Sequence, residues 1–138
     1  MQVRNVMSSP VVSATIHTTI RDAAAMMRRH DVGALPVLDG TGAVGIVTDR
    51  DLVTRVLSRE GGAGQMQVAA AMTPGPVTCS ADQDVAEAAA IMGDRQVRRL
   101  LVVDRSGEIV GLLSLGDIAE NASEELAGQA LGEISEGR

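Results

Sequence analysis

The chain repeats itself, and this restricts its architecture more than any other feature. Residues 6–52 read VMSSPVVSATIHTTIRDAAAMMRRHDVGALPVLDGTGAVGIVTDRDL; residues 71–118 read AMTPGPVTCSADQDVAEAAAIMGDRQVRRLLVVDRSGEIVGLLSLGDI. Met7 falls on Met72, Ala23–Ala25 on Ala88–Ala90 and Asp39 on Asp104, all at an offset of 65. A one-residue insertion in the next turn moves the offset to 66, so Gly45 falls on Gly111 and Asp51 on Asp117. The fold is therefore expected to be one small unit built twice.

Each copy carries the same local signals. A short strand is expected at Val11–Ser13 and again at Val77–Cys79. A helix follows over 19–30 and 84–95, with Ile20, Ala23, Ala24 and Met27 at helical spacing. Thr18 or Thr19 in one copy, and Gln83 or Asp84 in the other, are the candidate caps. Ala34–Leu38 and Leu100–Val103 read as strands of branched aliphatics. The turns Asp39–Gly42 and Asp104–Gly107 lead to second strands at Val44–Val47 and Ile109–Leu113. A helix then begins at Thr48 or Ser114. The order is β-α-β-β-α, twice.

Between the copies, Ser58–Gln67 holds three glycines and reads as a linker. We place the first repeat, with the start of the linker, at 1–61 and the second at 62–122. Residues 123–138 form an acidic C-terminal tail. Leu126, Ala130, Leu131 and Ile134 keep helical spacing there, a pattern compatible with a docked final helix and with a loose tail. Glu120, Glu124, Glu125, Glu133 and Glu136 carry much of the excess acid.

Composition removes several functions. The net charge of −6 and the lack of a basic stripe argue against nucleic acid as a partner. There is no Phe, Tyr or Trp, so no base can stack on an aromatic ring. The basic residues are all Arg, which excludes Schiff-base chemistry and a P-loop lysine. No apolar run approaches the roughly 20 residues that span a bilayer, and MQVRNVMSSP holds no signal-peptide core. A cytoplasmic location is expected, with no membrane partner. The single Cys79 cannot form an internal disulfide and reads as a small buried hydrophobe. His30 suits a helix end, and His17, His30 and Cys79 would bind metal only by a convergence nothing predicts; no metal site is assigned. No Ser-His-Asp, Cys-His or paired-carboxylate arrangement is visible, so no enzyme is expected.

The segment Gly45-Ile-Val-Thr48-Asp-Arg-Asp51 admits two readings. Thr48 ends a strand and opens a helix, with Asp51 three residues later, a spacing that resembles a capping box. The same geometry offers a hydroxyl and a carboxylate to a phosphate and a ribose, beside the amino end of a helix. Gly45 and Gly111 would admit close backbone approach or relieve packing.

HDVGALPVLDGTGAVGIVTDRDL and QVRRLLVVDRSGEIVGLLSLGDI each resemble the heart of a CBS (cystathionine β-synthase) repeat, a hairpin ending in Gly-hydrophobic-hydrophobic-Thr/Ser-x-x-Asp. Leu101 departs from the proline present at Pro36. The resemblance covers residues 3 to 121. It implies an α/β (α+β) fold of two pseudo-twofold related β-α-β-β-α repeats packed sheet to sheet, a Bateman module, commonly a homodimer. It also implies two clefts for AMP, ADP, ATP or S-adenosylmethionine, with no cofactor required. Cleft two would combine Thr48, Arg50 and Asp51 with Thr73, Val77, Val97, Arg98 and Arg99. Cleft one would combine Ser114 and Asp117 with Ser8, Val12, Val32, Gly33 and Ala34. Cleft two, richer in guanidinium groups, is expected to prefer phosphorylated ligands. Such a module would signal to a separate effector protein. The alternative is an oligomerisation or protein-interaction module whose clefts are vestigial.

Overall fold

The structure is a computed structural model that describes residues 1–59, 61 and 63–136. Positions 60 and 62 of the expected linker, and 137–138 of the expected tail, lie outside the described residues.

The elements begin with a single 3-10 turn, Val3–Asn5. Strand β1 (Ala14–Thr15), helix α1 (Ile20–His30), strands β2 (Ala34–Asp39) and β3 (Gly42–Thr48) and helix α2 (Asp49–Asp51) follow, α2 continuing as a π-helical segment over Leu52–Leu57. Next come β4 (Thr73–Pro74), β5 (Thr78–Ser80), α3 (Val85–Arg95), β6 (Arg99–Val103), β7 (Ile109–Ser114), α4 (Leu115–Asn121) and α5 (Glu124–Glu136). Each repeat thus has the expected β-α-β-β-α order.

Local chemistry explains where these elements start and stop. Thr19 Oγ1 accepts from the Asp22 amide at 3.1 Å, and Asp84 Oδ1 accepts from the Ala86 amide at 2.9 Å, so α1 and α3 are both side-chain capped. Ile20, Ala23 and Met27 fall on one face of α1 and are buried. Arg28, Arg29 and His30 close α1 where its dipole favours positive charge. Both helices end on a residue with positive φ, Asp31 (52°) and Gln96 (57°). Gln96 reinforces its turn by donating through Nε2 to the Gly93 carbonyl at 2.8 Å.

The two sheets share one plan. β1 runs parallel to β2, as the crossover through α1 requires, and β2 pairs antiparallel with β3. β5, β6 and β7 repeat this arrangement. A register shift between Val37 and Leu38 recurs between Val102 and Val103, so the duplication extends to the irregularities.

The expected first strand at Val11–Ser13 is corrected to Ala14–Thr15. Ala14 is the residue that faces inward, 2 % exposed, and pairs with Val37. The neighbouring valines are only half-buried, with Val12 packed against the edge of the core. High strand propensity at Val11 and Val12 did not decide where pairing starts. The sheet edge did.

The chain folds into two compact units, one of Val12–Pro76 and one of Met1–Val11 with everything from Val77 onward. Each unit therefore takes one repeat's hairpin and helices and the segment that leads into the other repeat. The hydrogen bonds are equivalent: Val3 N to Gln83 O (2.9 Å) and Val85 N to Met1 O (2.9 Å) match Val68 N to Thr18 O (2.8 Å) and Ile20 N to Met66 O (2.7 Å). Val3 and Val6 are buried in one core, and Val68 and Ala71 in the other. β4 is the visible product in the first unit, antiparallel to β3 with Thr73 opposite Ile46. In the second unit Ser8 makes the equivalent bridge to Leu112.

The tail folds as α5 and packs on α3 and α4, burying Ala127, Ala130 and Ile134. The small residues of α3 permit the approach. A Cβ on Gly93 would collide with the Glu133 side chain.

Cys79 lies inside β5, 3 % exposed, and burial raises its thiol to about 11. The thiol is then almost wholly protonated at pH 8. Iodoacetamide should alkylate it slowly in the native protein and readily in denaturant; equal rates would contradict the burial. Because the folded thiol holds its proton above the ordinary value of 9.0, its contribution to stability is complete below pH 9. It is lost as the pH rises toward about 11.

Candidate functional site

Both copies of the Thr/Ser-x-x-Asp motif form complete capping boxes. The Thr48 amide donates to Asp51 Oδ2 at 2.9 Å, and the Asp51 amide donates to Thr48 Oγ1 at 3.1 Å. In the second copy the Ser114 amide donates to Asp117 Oδ2 at 3.0 Å, and the Asp117 amide to Ser114 Oγ at 3.0 Å. Asp substitutes for the usual Glu or Gln because its shorter side chain still reaches back from the third helical position. The structural reading of the motif is therefore correct. It also leaves chemistry unspent.

Each hydroxyl accepts one hydrogen bond within its cap, so its proton remains to be donated. Each carboxylate commits Oδ2 to the backbone and points Oδ1 elsewhere. Asp51 Oδ1 lies 3.6 Å from Arg55 Nε. Asp117 Oδ1 accepts from the Ser8 hydroxyl at 3.4 Å. Each motif thus presents a hydroxyl donor and an anionic acceptor side by side, on a half-buried ledge where a strand gives way to a helix.

The first unit brings together Thr48, Arg50, Asp51 and Thr73, and also Val12, Val32, Gly33 and Ala34. Thr73 Oγ1 accepts from Arg55 Nη1 at 3.0 Å. Ala34 is the register partner of Thr48. The Gly33 carbonyl accepts from the Asp49 amide at 2.9 Å, and a Cβ at Gly33 would sit 3.1 Å from Asp49 Oδ2. Val32 is exposed beside them, and Arg50 is exposed on the first turn of α2.

The second unit brings together Ser8, Ser114 and Asp117, and also Val77, Val97, Arg98 and Arg99. Arg99 is the register partner of Ser114, and the Arg98 carbonyl accepts from the Leu115 amide at 3.1 Å. Val97 and Val77 pack against the core, Val77 also accepting from the Leu101 amide at 3.0 Å. Arg98 and Arg99 are exposed, and among the described residues the arginine ion pairs involve Arg4, Arg55 and Arg105.

Gly45 and Gly111 have a packing role. A Cβ on Gly45 would come within 2.6 Å of Met72 Sδ and 2.9 Å of the Thr73 carbonyl. One on Gly111 would collide with Met7 Sδ and lie 3.1 Å from the Ser8 carbonyl. The missing side chains make room for the lead segment that carries Thr73 or Ser8. The sequence signal was present, since both the glycines and the methionines repeat.

Arg55 is the residue beside the candidate site that motif reading did not single out. It lies four residues after Asp51 on the same helix, a spacing at which opposite charges meet. An open depression of about 600 Å³ elsewhere on the second unit is lined by Arg4, Asp82, Asp104 and Arg105 among others. Its arginines pair with Asp82, and none of the predicted site residues lines it. Among the described residues no three His, Cys, Asp or Glu side chains converge as metal ligands. No helix there is long and apolar enough to cross a membrane.

Comparison with known proteins identifies the family and the fold. The CBS domain family model matches residues 3–58 and 67–124. The CBS domain-containing protein YhcV of Bacillus subtilis is 37% identical over 134 residues, covering 96% of this chain and 94% of that protein. A conserved CBS domain protein of unknown function from Thermoplasma acidophilum superposes with a TM-score of 0.81 at 26% identity, over 96% of this chain and 75% of that one. The CBS domain pair of the protein MJ0100, solved with 5′-methylthioadenosine and S-adenosyl-L-methionine, superposes with a TM-score of 0.76 at 25% identity, over 91% of this chain and 98% of that one. CBS domain pairs are regulatory modules. With two family matches in tandem, the chain belongs to the CBS domain family.

Proposed function

We propose that this protein is a regulatory module that binds adenosine-containing ligands, AMP, ADP, ATP or S-adenosylmethionine, and signals to an effector protein. The observation that carries the reading is the pair of capping boxes. Each leaves a hydroxyl proton and a carboxylate oxygen free of the cap, and these groups complement a phosphate or ribose oxygen and a ribose hydroxyl. Thr48, Asp51 and Thr73 serve one ligand; Ser114, Asp117 and Ser8 serve the other. The adenosyl ligands of MJ0100 support the class of compound. In this reading the protein carries out no catalysis and works in the cytoplasm as a homodimer.

The competing reading takes the caps as purely structural and the protein as an oligomerisation or interaction module. Thermal unfolding with AMP, ADP, ATP, NAD and S-adenosylmethionine separates the two. A ligand present at 100 times its Kd stabilises the native state by about 2.7 kcal/mol. At least one adenosine compound should therefore raise Tm by several degrees. No response to any of them would favour the interaction module. The readout must be a dye or calorimetry, because the chain contains no Tyr or Trp.

A further inference from the structure

The two motif carboxylates differ in what faces them. Beside Asp51 stands Arg55, whose Nη1 donates to the Ala71 carbonyl and to Thr73 Oγ1, both at 3.0 Å, while its Nε lies 3.6 Å from Asp51 Oδ1. The guanidinium is thus held in position by the lead segment and is partly open to solvent, at 44% exposure. The residue at the corresponding place in the second repeat is Asn121, which carries no charge. There the outer carboxylate oxygen of Asp117 accepts from the neutral Ser8 hydroxyl and, among the described residues, from no guanidinium. Each comparison lies within one compact unit.

We infer that Arg55 sets ligand selectivity at the Thr48–Asp51 site, making it favour phosphate-bearing adenosine compounds over neutral or cationic ones. A phosphate approaching Asp51 meets a carboxylate already offset by a guanidinium that can itself donate to phosphate oxygens. Asp117 has no such guanidinium partner among the described residues, and the exposed Arg98 and Arg99 beside Ser114 are not held against it. A sulfonium or an uncharged nucleoside gains nothing from the Arg55 guanidinium, so the preference at the Thr48–Asp51 site falls on phosphate compounds. Arg55 also spans the motif and the lead segment, so a ligand that draws it from Asp51 Oδ1 moves a group bonded to Ala71 and Thr73. The inference rests on the adenosine-binding reading above.

The test is calorimetric titration of the 138-residue chain with AMP, ATP and S-adenosylmethionine. The variants are Arg55→Gln, Arg55→Lys and Asn121→Arg. Arg55→Gln should weaken AMP on the order of tenfold and ATP by more, since hydrogen bonds to charged groups are the strong ones. S-adenosylmethionine should be unaffected. Arg55→Lys, which keeps the charge, should retain most of the affinity for phosphate compounds. Asn121→Arg should add phosphate binding at the second site. If Arg55→Gln weakens all three compounds equally, or if Arg55→Lys fails as badly as Arg55→Gln with an unchanged Tm, Arg55 is only a structural brace and the inference falls. A wild-type protein silent toward every compound would overturn the adenosine reading itself, and the selectivity with it.

Discussion

Gly45→Val and Gly111→Val should each lower the melting temperature by roughly 5–15 °C, an effect we place at about 1–3 kcal/mol or slightly more. Glycine within a strand normally weakens it, so adding a side chain there ought to help by roughly 0.5–1 kcal/mol. At these two positions the space is taken. A Cβ at Gly45 meets Met72 and the Thr73 backbone, and one at Gly111 meets Met7 and the Ser8 backbone. The methionine can swing aside, but a backbone carbonyl cannot without disturbing β4 or the Ser8 bridge to Leu112. Gly128→Ala, on the exposed side of α5 with nothing within 4 Å, should move the other way and stabilise by about 0.5–1 kcal/mol. Differential scanning calorimetry of the three variants checks both signs. A neutral or stabilising Gly111→Val would mean that the lead segment does not pack as described.

The second large effect concerns Asp51 and Asp117, where structure and binding share one side chain. Asp→Ala at either position removes the acceptor for the Thr48 or Ser114 amide. A half-buried donor left unmatched costs about 1–3 kcal/mol. Asp→Asn separates the two roles. The amide oxygen can still accept from the backbone, so stability should fall by less than about 1 kcal/mol. The other end of the group becomes a donor where the ligand needs an acceptor. Affinity for an adenosine compound should then drop on the order of tenfold to a hundredfold at that site. Chemical denaturation and calorimetric titration of the same preparations separate the two effects. Loss of stability in Asp117→Asn without loss of binding would reduce the motif to a helix cap.

Much of this architecture can be read along the chain because its signals are local. Helical spacing at Ile20, Ala23 and Met27, the caps at Thr19 and Asp84, and the turns at Asp39 and Asp104 all act over a few residues. The turns are built as composition suggests. Asp39 accepts from the Thr41 hydroxyl at 2.6 Å and Asp104 from the Ser106 hydroxyl at 2.6 Å, and these bonds hold both carboxyls below their ordinary range.

What escaped the reading depends on contacts distant in sequence. Nothing local in Met1–Val11 or Val68–Pro76 says which repeat each segment covers, since the two segments are alike and both hairpins could receive either. The role of Gly111 requires Met7, at the opposite end of the chain. β1 was misplaced because Val11 and Val12 suit a strand better than Ala14 and Thr15, and only the sheet edge at Val37 overrules them. The fate of the tail depended on α3 being small enough at Ala89 and Gly93 to admit a helix. Arg55 is different in kind. Its distance of four residues from Asp51 was legible, but its bonds to Ala71 and Thr73 were not, and without those it resembles any solvated arginine.

The most direct test of the central claim is isothermal titration of the 138-residue chain with AMP, ADP, ATP and S-adenosylmethionine. The wild type should be run alongside the Asp51→Asn/Asp117→Asn double variant. The account predicts saturable binding of at least one compound by the wild type and its loss in a double variant that still unfolds cooperatively near the wild-type temperature. Absence of binding by the wild type, or equal affinity in a folded double variant, would contradict it.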